Sequence, residues 1–194
     1  MRSPQFLLVA TALLLALPGG AADKDDAFTG DKRDFGKRFT TIALSPVDAD
    51  PLFVMPERVA RILEEEVTTH LEKHGYTVIP SSVLADIRKA MARQVGGLDD
   101  PGTGKPDAAK PRAVRSHALR ELWYREQFDA VATIRVTTAT ARFAKGSAEW
   151  DGVKQKVDSE GRDKGYGGSI VASSVSFAVF DEAMRPQYVF YGGL

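Results

Sequence analysis

The sequence predicts an α/β fold: a two-layer sandwich in which a mixed β-sheet carries helices mainly on one face, opening with a βαβ unit. Three observations carry this. Residues 39–80 read as strand, loop, long amphipathic helix and strand. Residues 130–143 and 169–181 then alternate apolar and polar side chains, the period of strands with one buried face. Finally, a 194-residue chain that is 43% hydrophobic has enough apolar mass for one sizeable core.

In the opening unit, Ile42 and Leu44 share one face of a short strand that ends at Ser45-Pro46. Pro56 suits the first turn of a helix, where a missing N–H costs little, and Glu57 complements the positive end of its dipole. Val59, Ile62, Leu63, Val67 and Leu71 recur every three or four residues, while Arg58, Arg61, Glu64, Glu65, Thr68 and Glu72 point away. Gly75 stops the helix, and the next strand begins at Tyr76. Strand, crossover helix and strand give parallel neighbours most economically.

The remaining elements follow in order. Ser81-Ser82 can cap a second helix over 83–95, with Val83, Ile87, Ala90 and Met91 turned inward. Residues 97–111 are rich in Gly, Pro, Asp and Lys and read as a loop insertion, with a mobile functional loop as the second reading. A third helix is expected over 113–128, with Val114, Ala118, Leu122 and Trp123 buried. The strand over 130–143 presents Ala132, Ile134 and Val136 on one face and Thr133, Arg135 and Thr137 on the other. Residues 169–181 set Val171, Val175, Phe177 and Val179 against Ser174, Ser176 and Ala178. Residues 145–168 are expected as a charged, exposed hairpin or loop, and 187–191 as a last strand.

Ahead of this domain (39–194), residues 1–22 carry a secretory signal pattern. Arg2 is the basic region, an apolar core follows to Leu17, and Gly20 and Ala22 stand at the small-residue cleavage positions. The expected location is the periplasm or beyond. Residues 23–38 read as a flexible lead-in with little to bury. The chain has no cysteine, which excludes disulfides, thiolate metal sites, a cysteine nucleophile and the lipidated cysteine of a lipoprotein. The mature chain has no stretch that would span a membrane. Its zero net charge gives no electrostatic case for nucleic acid as a partner.

Catalytic motifs are missing or broken. Gly102-Thr-Gly-Lys105 lacks the spacing and the Ser/Thr of a phosphate loop, and Gly165-Tyr-Gly-Gly168 precedes a strand, the wrong order for a dinucleotide turn. There is neither a GxSxG elbow nor an HExxH helix. His70 and His74 share a helix face at a spacing that could hold zinc if a third ligand came from elsewhere. Trp150 and the Tyr188, Phe190, Tyr191 cluster offer aromatic faces for glycan or peptide, with Tyr188 and Phe190 on one sheet face and Tyr191 on the other.

The order of elements resembles the periplasmic α/β domain of the curli secretion channel (CsgG-type) family and the amino-terminal domain of TolB-type proteins. The residues that carry the resemblance are Ile42-Ala-Leu-Ser-Pro46, Gly75-Tyr-Thr-Val-Ile79, Leu84-Ala-Asp-Ile-Arg88, Phe128-Asp-Ala-Val-Ala132, Phe180-Asp181 and Tyr188-Val-Phe-Tyr191. The resemblance implies a non-enzymatic component of envelope machinery. The chain departs from the channel pattern in having no lipidated cysteine and no evident lipid-facing hairpins.

The expectation is therefore an exported, non-enzymatic protein without a cofactor that binds an envelope protein or glycan. Its contact residues would be Thr133, Arg135, Thr137, Ser174 and Ser176 on the polar sheet face. Two alternatives stand beside it: a metal-dependent hydrolase using His70 and His74, and a self-assembling structural subunit.

Overall fold

The computed structural model describes residues 27–51, 53–107, 109–144, 146–156 and 167–194. The signal pattern, the first residues of the lead-in and part of the 145–168 segment lie outside the described residues. Among the described residues, no helix is long and apolar enough to cross a membrane.

The elements run α1 (Lys32–Arg38), β1 (Thr41–Leu44), β2 (Asp48–Ala49), α2 (Glu57–Lys73), β3 (Thr77–Ile79), α3 (Ser81–Gln94), α4 (Lys110–Glu126), β4 (Ala130–Ala144), β5 (Ser147–Trp150), β6 (Val153–Lys156), β7 (Gly167–Asp181) and β8 (Pro186–Gly193). They build a mixed α/β fold around one sheet, as the hydrophobic patterning predicts. The opening βαβ unit is present: β1 pairs β3 in parallel, with Thr41 opposite Thr77 and Ala43 opposite Ile79. β4 is the central strand. It lies parallel to β1 and β2 and antiparallel to β7. β7 continues to β8, and β4 continues through β5 to β6.

Helices cover both faces of the sheet near β1. Leu63 and Leu71 of α2 pack on Ile42, Leu44, Ile134 and Val136. Leu84 and Ile87 of α3 and Ala118 and Leu122 of α4 pack on Ala43 and Val131, which point the other way. The expected weighting to one side holds only farther along β4, where Thr133, Arg135 and Thr137 interrupt the apolar run. Neither helical core reaches beyond Val136 on β4 or Val175 on β7. Val171, expected on the apolar face, is accordingly 78% exposed.

Four details depart from the sequence reading. Residues 27–38 hold structure: Phe28 bridges Tyr188 in an antiparallel pair, and α1 follows, capped by the Asp31 side chain on the Arg33 N–H at 2.8 Å. Phe28 and Phe35 supply the burial that the polar composition hides, each meeting the ring of Tyr188 edge-on. On α4, Val114, Ala118 and Leu122 are buried as expected, but Trp123 is 41% exposed and meets the ring of its exposed neighbour Tyr124 edge-on. Ser81 does not cap its helix. It donates to Glu64 on α2, whose other carboxylate oxygen accepts the Val47 N–H at 2.9 Å, so Glu64 turns inward. The charged hairpin, β5–β6, is not an exposed appendage. Trp150 is buried at 8% exposure on Ala141 and Ala148, and its indole N–H donates to the Ser173 carbonyl at 2.9 Å.

The 97–111 segment contains a local closure, an antiparallel bridge between Asp99 and Pro106. The Asp100 carboxylate accepts the N–H groups of Gly102 and Thr103 at 2.9 and 2.8 Å, which holds its pKa below the usual range. Those are the amides a phosphate would need, so the broken phosphate-loop motif is also closed by its own carboxylate.

Candidate functional site: an arginine-walled cleft

The polar face of β4 is not an open plane. A cleft of about 450 Å³ lies over it, between β4, β7 and β8 on one side and α3, α4 and the 45–48 loop on the other. It forms because the sheet continues past the point where α3 and α4 pack tightly. Thr133, Arg135 and Ser176 line its floor, and Arg88 and Arg115 reach in from the two helices.

Three guanidinium groups therefore share one concavity, with Asp48 as its only carboxylate among the described lining residues. Arg135 stands opposite Asp48 in the β2–β4 register, and their charged atoms are 4.0 Å apart with both side chains about half-exposed. Such a pair contributes little to stability. Arg88 is more constrained. Its Nη2 donates to Ser45 Oγ at 3.3 Å, and its Nε is buried without a hydrogen-bond partner among the described residues. Burial, joined by repulsion from Arg115, pulls the Arg88 pKa down, while Asp48 opposes the shift. A guanidinium stays charged at any ordinary pH, so the effect is a cost of holding the cation there. An anion in the cleft, which Arg88 lines, would offset that cost by its charge.

The floor hydroxyls are nearly free. Thr133 Oγ1 lies 3.5 Å from the Ala178 carbonyl, and Ser176 Oγ lies 3.5 Å from the Arg135 carbonyl, the outer limit of a hydrogen bond. Tyr191, 60% exposed and on this same face, forms part of the rim. Tyr188 and Phe190 face the other way, as the strand period predicts.

Of the five residues proposed from sequence, the structure brings Thr133, Arg135 and Ser176 together. Thr137 lies farther along β4 and does not line the cleft. Ser174 is not available for contact. It is 2% exposed, donates to the Asp151 carboxylate and lies 3.1 Å from the Gly192 carbonyl. The cause is the β5–β6 hairpin, whose turn residue Asp151 comes down on this end of the face and also accepts the Gly193 N–H at 3.0 Å. The same fold-back removes Trp150 as a stacking surface.

Sequence reasoning missed Arg88, Arg115, Ser45 and Asp48. The available signal was Arg88 immediately after Ile87, at the border of the apolar stripe of α3. A cation in that position is carried to the edge of whatever sheet face the helix covers.

His70 on α2 and His74 at its C-terminal cap do lie together, with ring centroids 4.4 Å apart and the rings inclined at 40°, and His74 Nδ1 lies 2.8 Å from the His70 carbonyl. Burial first, then the charges of His74 and Lys73, lowers the His70 pKa. No group of three or more His, Cys, Asp or Glu side chains suited to a metal ion occurs among the described residues. His117 cannot supply a third ligand, since α4 lies on the opposite face of the sheet from α2.

Comparison with known proteins yields only weak structural similarity. No family model matches the chain, so the curli-channel and TolB resemblance gains no family match, and no curated protein matches it. Among solved structures, the chain is similar to the LpoB C-terminal domain from Escherichia coli. The TM-score is 0.40 at 8% identity, covering 88% of this chain and 90% of that one. The LpoB C-terminal domain from Salmonella enterica gives a TM-score of 0.38 at 7% identity, covering 89% and 98%. Similarity at this level bears on neither ligand nor activity.

Proposed function

We propose that the protein is an exported, non-enzymatic accessory or assembly factor of the bacterial cell envelope, and that the arginine-walled cleft holds an acidic segment of an envelope protein partner. The single observation that carries this reading is the placement of Arg88, Arg115 and Arg135 around a half-enclosed cavity, with Arg88 Nε buried and unpartnered among the described residues. A protein under no demand to bind an anion would replace such a cation or pair it, because a buried donor left unsatisfied costs about 1–3 kcal/mol. The export pattern of residues 1–22 supplies the compartment. The floor of Thr133 and Ser176 hydroxyls adds neutral donors beside the cations, which suits a carboxylate flanked by peptide groups.

Charge reversal tests this. The purified protein and its Arg115→Glu/Arg135→Glu variant are used to capture partners from envelope extract at low and high salt. The reading predicts a partner retained by the wild type at low salt, released as salt screens the cleft, and not retained by the variant. Equal retention by both proteins would refute it.

A further inference from the structure

On the other side of the sheet, and independent of the cleft, lies a second cavity of about 340 Å³ between α2, α1 and strands β7 and β8. Its floor is made by core side chains such as Ile134, Val175 and Val179. Its walls are Leu63 and Val67 of α2 and the rings of Phe177 and Tyr188. The segment before α1 crosses it as a strap. The Thr29 N–H donates to the Gln187 carbonyl at 3.1 Å, the Val189 N–H donates to the Ala27 carbonyl at 2.8 Å, and the Phe28 ring meets Tyr188 at 4.8 Å.

The nitrogen-bearing side chains lining this cavity are all basic. Lys32, His70 and His74 stand among the lining residues, and no Asp or Glu does. Lys32 has no ion pair among the described residues, and its ammonium lies 5.8 Å from the Phe28 ring centroid. Tyr76 and Tyr188 also line the cavity, and neither hydroxyl has a hydrogen-bond partner among the described residues. An apolar chamber with a few convergent polar donors is the usual form of a small-molecule site, and this one lies at the small end of the usual volume range. At about 30 Å³ for each water-sized group it holds about eleven such groups, room for a medium-length hydrocarbon chain.

We propose that this cavity binds a free fatty acid, its hydrocarbon chain against Val67, Val175 and Phe177 and its carboxylate held by Lys32 with the His70–His74 pair. The strap residue Phe28 closes over the chain. The carboxylate supplies the counter-charge that the Lys32 ammonium has nowhere among the described residues, and the chain fills space bordered by apolar side chains.

The test uses the purified protein with dodecanoate and, as a neutral probe of equal length, dodecanol. Calorimetry should show one dodecanoate per chain, with dodecanol at least tenfold weaker. Lys32→Glu, on an exposed helix, should weaken dodecanoate about tenfold and leave dodecanol unchanged. Val67→Trp should abolish both. Methyl NMR of the wild type needs no variant: dodecanoate should shift Val67 and Val175 and leave Leu84, on the opposite sheet face, in place. Absence of saturable binding, shifts at Leu84 in place of Val67, or equal affinity for acid and alcohol in both wild type and Lys32→Glu would each overturn the proposal.

Discussion

Replacing Arg88 with methionine should make the isolated protein more stable while weakening its cleft. Among the described residues Arg88 Nε is buried with no partner, and an unmade buried donor costs about 1–3 kcal/mol. Against this stands one contact, Nη2 to Ser45 Oγ at 3.3 Å, a long bond contributing at most about 0.5–1.5 kcal/mol. Repulsion from Arg115 would also vanish, and so would attraction to Asp48. Methionine keeps an unbranched apolar stem that fills the same channel through the helix border. The balance is a gain of about 1 kcal/mol, which in a chain of this size raises the Tm by about 2–4 °C. Thermal and urea unfolding followed by circular dichroism would read it, with partner capture measured on the same samples. Stability gained as binding is lost is the usual signature of a strained functional group. A variant that instead lost 1 kcal/mol or more would show that the guanidinium is a structural post, and the argument from its unpartnered Nε would fail.

Three further predictions follow from the same geometry. Asp181 is 3% exposed and accepts the N–H groups of Ala183 and Arg185 at 3.0 and 2.9 Å and the Arg185 guanidinium at 2.8 Å. Burial alone would raise its pKa, but the Arg185 N–H, the guanidinium and the Ala183 N–H together carry it below the ordinary value. Its contribution is therefore complete above the unfolded pKa of about 3.9 and is lost as pH falls through the folded value, so Asp181→Asn should flatten the acid limb of a urea-midpoint profile measured from pH 7 to 2. Gly193→Ala would place a Cβ 2.6 Å from both Trp150 Nε1 and Val153 Cγ2, so it should cost about 1–3 kcal/mol and change Trp150 fluorescence. Zinc added to the purified protein and then dialysed should not remain at one per chain, and His70→Ala should make no difference by elemental analysis, since no third ligand converges among the described residues.

The fold was legible where a period was strong and its cover local. The alternation of 130–143 gave β4 and its two faces, and Gly75 and the stripe from Val59 to Leu71 gave the βαβ unit. What escaped was set by distant packing. Ser174 has the sequence signature of a surface serine, and only the return of the β5–β6 hairpin, placed by the register of β4 with β5, buries it. The lead-in was hidden because two rings, Phe28 and Phe35, outweigh a run of charged residues once Tyr188 is beside them. Half of the candidate site was likewise invisible. Thr133, Arg135 and Ser176 follow from strand period, but Arg88 and Arg115 join them only because α3 and α4 pack on the sheet face that β4 shares with Val131.

The most direct measurement is photo-crosslinking in intact envelopes from a probe residue placed at Ser176, on the cleft floor, and at Glu66, exposed on α2 across the sheet. The account predicts a discrete protein adduct from position 176 that disappears when Arg115→Glu and Arg135→Glu are introduced, and no such adduct from position 66. The same adduct from both positions, or one from 176 that survives charge reversal, would contradict it.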